Sequence, residues 1–168
     1  MLSLPYLQID NELDLNSSLL ILLLEKLAIN KNKNFKLDFS KLQFFLYLLK
    51  NPSKINKVLE ISGRKLAILE DKFIFTIESE SVNVDILYDK KRIRVLLRYL
   101  SIKGLLSVHN GSAGEIFFSL TEAGTDLSKK LKSNYLTSIR MHLDNLKVLQ
   151  SLPSSKLFSI LNQMFKGY

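Results

Sequence analysis

The chain of 168 residues contains no cysteine and no tryptophan, and only two histidines, three prolines and six glycines. Without cysteine there is no disulfide and no thiolate metal site, so a reducing, cytoplasmic interior is the expected setting. His109 and His142 stand at no spacing that makes a metal pair. A GxSxG elbow, a Gly-rich phosphate loop and an HExxH helix are all missing. Glu78 and Glu80 would share one strand face, but no neighbour in sequence activates them. The expectation is therefore a non-enzymatic protein with no catalytic residue, no cofactor and no metal. His109, at a strand end, reads as a surface residue, and His142 as a residue on a helix face.

Long apolar runs are absent too. Leu19 to Leu24 is followed at once by Glu25 and Lys26. A membrane-spanning helix takes about 20 apolar residues, so this run reads as a buried helix and no membrane is expected as a partner. The N-terminus is acidic and lacks the basic n-region of a signal peptide.

What is present is positive charge, unevenly placed. Residues 1–50 carry six cations and five anions, residues 51–89 five and seven, and residues 90–168 thirteen and four. The last segment alone would suit a polyanion or an acidic protein surface. The alternative is a solvated Lys-rich face, since 19 of the 24 cations are lysine. The length suits one domain, or one with an appendage, and is enough to build a core.

Punctuation along the chain predicts its elements. Asn16 or Ser17 is expected to cap a helix that ends near Asn30, with a polar loop over 30–34. Asp38 caps a helix whose Leu42, Phe45, Leu46 and Leu49 recur at helical spacing, and Asn51-Pro52 stops it. A short helix follows, closed by Gly63. Within residues 64–88, Phe73, Phe75 and Ile77 alternate with Ile74, Thr76 and Glu78, which favours strand, with a turn at Glu70-Asp71-Lys72 and helix as the alternative for 80–88. Asp89 caps a helix to about Lys103, Gly104 ends it, and strands over 105–109 and 115–121 form a hairpin. Thr121 caps the next helix. Leu136, Ile139, Leu143 and Leu146 mark a helical seam, and Pro153 starts a last helix.

Helix, glycine, strand, loop, strand, then Leu-Thr-Glu-x-Gly into a helix is the order of a winged helix. The expected fold class is mainly α, α+β, with a winged helix-turn-helix core, a hairpin wing and extra C-terminal helices. The expected division is an N-terminal extension over 1–35, a winged-helix domain over 36–133 and a helical tail over 134–168.

On a helical wheel Lys91, Arg94 and Arg98 share one side of residues 91–103, and Ile93, Leu96, Leu97 and Leu100 the opposite side. With Lys129, Lys130 and Lys132 they are the expected DNA contact. Lysine and arginine alone serve phosphates well and base edges poorly, so that contact would be sequence-independent. Val95, Tyr99 and Ile102 form a second apolar stripe. A helix apolar on two sides is covered on both, here by the C-terminal helices or by another protein. The wing, "HNGSAGE", has no cation for a phosphate.

The segments "YDKKRIRVLLRYLSIKGLLSV", "GEIFFSLTEAG" and "YLTSIRMHLDNLKVLQSLPSSKLFSILNQMF" resemble the middle components of bacterial ABC-ATPase three-component systems. Lamassu-type antiphage defence is a related case, and the winged-helix accessory proteins of bacterial condensins are a looser one. The resemblance covers residues 36–165 and carries no invariant catalytic signature. It implies a small adaptor that binds a large SMC-like ATPase and regulates an effector, often a nuclease. Tyr99, Leu157, Leu161, Met164 and Phe165 are the expected partner contacts. The alternative function is a dimeric winged-helix transcription regulator that binds specific DNA, with the seam helix as its homodimer interface. A third reading is an inert scaffold completed by a tail that folds back.

Overall fold

The computed structural model describes residues 13–69 and 89–166. Within them the chain forms seven α-helices and one two-stranded antiparallel sheet, a mainly helical α+β protein. The helices are α1 (Leu13–Leu27), α2 (Phe39–Lys50), α3 (Ile55–Ile61), α4 (Lys90–Ile102), α5 (Glu122–Lys130), α6 (Asn134–Leu146) and α7 (Ser154–Lys166). The strands are β1 (Leu106–Asn110) and β2 (Ile116–Leu120), and single 3-10 turns span Pro52–Lys54 and Lys147–Leu149.

The helix starts follow from side-chain caps. An N-cap oxygen accepts one of the amides that a helix start leaves unpaired. Asp38 accepts from the Lys41 amide at 2.8 Å, Asp89 from the Arg92 amide at 2.9 Å, and Thr121 from the Gly124 amide at 3.1 Å. Gly63 and Gly104 follow α3 and α4 with φ of +65° and +68°, left-handed positions where a side chain would be strained. The hairpin pairs Leu106 with Leu120 and Asn110 with Ile116. A third backbone segment joins it. Phe118 N donates to Leu37 O at 2.9 Å, and Asp38 bridges Phe117.

The first helix starts earlier than its sequence suggests. Asn16 and Ser17 lie inside α1 and are buried, so neither is its cap. After Leu27 the chain turns through the polar loop. There the Asn30 side chain accepts from the amides of Asn32 and Asn34, and Ile29 bridges Phe35. Residues 64–69 form no helix or strand, and the expected strand region, with Glu78, Glu80 and the turn at 70–72, lies outside the described residues.

One hydrophobic cluster runs through every helix except α5, which adds only the half-buried Leu127. From Leu19 to Leu24 all six residues of α1 are buried, which is why that stretch is apolar all round. This helix, within the expected N-terminal extension, touches α2, α4, α5, α6 and β2. The expected tail enters the same cluster: α6 packs on α1 and α2, and α7 on α3 and α2. Buried polar bonds join these parts. Lys41 Nζ donates to Gln150 O at 2.8 Å, and Gln150 Nε2 donates to Leu27 O at 2.7 Å. Ser154 Oγ donates to Asp38 at 2.9 Å, tying the start of α7 to the start of α2. Arg140 donates to the carbonyls of Ser128 and Leu131 at the end of α5 and pairs with Glu25 at 3.3 Å.

Candidate interaction surface

Helix α4 separates its side chains as the wheel predicts. Ile93, Leu96, Leu97 and Leu100 are buried against the core, while Lys91, Arg94 and Arg98 are exposed. The Arg94 guanidinium carbon lies 5.8 Å from the centre of the Phe39 ring, so its charged head sits over the start of α2. Lys129, Lys130 and Lys132 are exposed at the far end of α5. Lys129 pairs there with Asp126 at 3.0 Å, and cations at a helix C-terminus complement its dipole. The two basic groups therefore sit on different helices, each packed on α1.

The second apolar stripe of α4 stays open at Val95 and Ile102, while Tyr99 packs in part on the core. Val95 is 50% exposed and Ile102 83%, while Tyr99 is half-buried, with the Lys103 ammonium 5.7 Å from its ring centre. The C-terminal helices do not cover this side, because α7 lies against α2 and α3. Among the described elements the principal neighbours of α4 are α1 and β1.

The tail residues expected to meet a partner stand elsewhere. Leu157, Leu161 and Met164 are fully buried within this chain. Phe165 is half-buried, its ring edge-on to Tyr47 at 6.0 Å between centres. Periodicity correctly marks an apolar face on α7, but α2 and α3 cover it. The seam residues Leu136, Ile139, Leu143 and Leu146 are buried in the same way, so the homodimer seam is taken up inside the protomer.

The wing holds itself together without cations. Glu115 accepts from the Ala113 amide at 3.0 Å through its side chain and from the Gly111 amide at 2.7 Å through its backbone. Val108 and Ile116 are half-exposed on one face of the hairpin. On the other face His109 is half-buried rather than a surface residue. Its ring stacks on Phe35 at 3.7 Å, and Nε2 lies 2.8 Å from Ser119 Oγ. His142 is buried in the core. Among the described residues no group of three or more His, Asp or Glu could hold a metal ion.

One surface feature has no signature in the sequence. A cleft of about 530 Å³ lies between residues 64–68 and the outer side of α6. It is lined by Arg64, Leu66, Ile68, Met141, Asp144 and Val148, among others. The alternation that suggests a strand begins only at Phe73, and nothing in residues 64–69 marks their outward side as apolar.

A family model described as ABC-three component (ABC-3C) system Middle Component 4 matches residues 27–159, from the last residue of α1 into α7. That is most of the chain, and the protein belongs to this family: it is an accessory component of a multi-component ABC system. No curated protein and no solved structure matches it. Among the described residues no helix is long and apolar enough to cross a membrane.

Proposed function

We propose that this protein is a non-enzymatic winged-helix adaptor that binds the SMC-like ATPase of its ABC system and regulates an effector, such as a nuclease, in cytoplasmic bacterial defence of the Lamassu-related kind. Family membership supplies the need for partner components. The observation that carries the adaptor role is the exposure of Val95 and Ile102 on α4, on either side of the half-buried Tyr99. Apolar side chains of this size favour burial, and none of the chain's own described helices takes up Val95 and Ile102.

The winged-helix reading gains support from the element order. Helix α1, the bridge at Asp38, α2, α4 and the β1–β2 hairpin match the helix–strand–helix–helix–wing sequence of that fold if α3 and residues 62–88 are taken as an insertion between α2 and α4. In this assignment α1 is the first helix of the motif, not an extension before it. Helix α4 would be the one offered to DNA. Its exposed Lys91, Arg94 and Arg98, with Lys130 and Lys132, suit a weak backbone contact that ignores sequence. The dimeric regulator reading is weaker, because its interface helix is already covered within one protomer.

Size-exclusion chromatography of the full chain with the ABC component encoded beside it tests the adaptor role. Co-elution is expected, with loss of the complex on joint Val95→Glu and Ile102→Glu substitution. A chain that elutes alone overturns the reading.

A further inference from the structure

The extended run that forms one wall of the α6 cleft is held in an uncommon way. The Asn56 side chain accepts from the Ala67 amide at 2.8 Å and donates to the Ala67 carbonyl at 3.0 Å. Only an extended residue turns its own N–H and C=O to the same side, so this clamp fixes strand-like backbone outside any sheet. Side chains then alternate. Ala67 and Leu69 pack on the core, while Leu66 is 55% exposed and Ile68 95% exposed. An outward strand position normally carries a polar residue, so two branched apolar side chains there call for a cover.

The same geometry leaves a free edge. The N–H and C=O groups of Leu66 and Ile68 point away from Asn56 and meet no partner among the described residues. The opposite wall continues the apolar surface with half-exposed Met141 and Val148 on α6 and the turn after it. Charge at the rim is positive. Arg64 and Lys65 are exposed and form no ion pair among the described residues, whereas Asp144 is already neutralised by Lys26 at 2.9 Å.

We infer that this cleft binds an extended, acidic peptide segment of the ABC component, added as a strand along residues 65–69. The open backbone edge selects an extended chain. Leu66, Ile68, Met141 and Val148 select apolar side chains at alternate positions, and Arg64 and Lys65 select Asp or Glu beside them. The inference rests on the adaptor reading and adds to it the site and the chemistry of one contact.

Co-purification of the full chain with the neighbouring ABC component tests it, together with photo-crosslinking from position 68. Ile68→Asp is expected to lower capture about tenfold or more, as is Arg64→Glu combined with Lys65→Glu. Both variants change exposed side chains, and unchanged circular dichroism and melting confirm that they fold. The crosslink is expected in an acidic stretch of the ABC component. Equal capture by wild type and Ile68→Asp, or a crosslink in a basic stretch, overturns the cleft assignment while the adaptor reading stands. Capture by neither protein overturns the adaptor reading and the cleft assignment with it.

Discussion

Gln150 Nε2 donates a 2.7 Å hydrogen bond to the carbonyl of Leu27, 123 positions earlier in the chain. Leu27 is the last residue of α1, where helical carbonyls have no partner of their own, and both groups are buried. The backbone carbonyl of Gln150 in turn accepts from Lys41 on α2. One residue of the expected tail thus satisfies polar groups on two helices of the core.

Replacing Gln150 with Leu removes the only side chain bonded to that carbonyl among the described residues. A buried acceptor left unpaired costs about 1–3 kcal/mol, and urea denaturation should show a loss of that order. A neutral result would mean that water reaches the end of α1.

Lys41 should make stability depend on pH. Burial holds its ammonium below the ordinary lysine range, the nearby Asp38 carboxylate partly opposes this, and Lys36 adds to the lowering. Because the folded pKa is the lower one, the unfolded chain binds more protons in the window between the lowered value and 10.5. Stability contributed by this group therefore rises with pH across that window, and the burial penalty is complete below it. Urea midpoints of wild type, measured relative to Lys41→Met from neutral pH to above pH 10, should move in favour of wild type. A constant difference would refute the assigned cause.

Gly124 is required by space at the start of α5, where its backbone is not left-handed. A Cβ there would collide with the Leu105 carbonyl oxygen and lie 3.1 Å from Leu120 Cδ2. Leu105 O already accepts from the Thr121 amide, so the backbone has little freedom to give way. Gly124→Ala should destabilise by about 1–3 kcal/mol despite its better helix propensity, as overpacking does. Thermal melts would register it.

Charge reversal at Lys91, Arg94 and Arg98 should weaken binding to any duplex without altering the fold, since all three are exposed. Each lost phosphate contact lowers the slope of log affinity against log salt by about 0.9. Fluorescence anisotropy over a salt series, on two unrelated duplexes, reads both slope and sequence preference. A strong preference for one duplex would instead favour the transcription-regulator reading.

The legible parts of this fold are the ones made by neighbours in sequence. Asp38, Asp89 and Thr121 cap amides three residues on, and Asn51-Pro52 breaks α2 locally. The division of α4 into buried and exposed sides follows from its period. Half of the candidate surface was therefore readable in advance, namely its cations and the apolar stripe beside them.

What the period does not contain is the identity of the covering element. Leu157, Leu161 and Met164 make the same pattern whether α2 and α3 or a foreign helix lies on them, and only the packed chain assigns them to the interior. The reverse holds at Leu66 and Ile68, which nothing in the sequence marks as outward and which the Asn56 clamp turns outward. Caps, breaks and faces come from forces acting within a few residues. Which faces meet is decided by contacts between segments far apart in sequence, and that choice separates core from surface here.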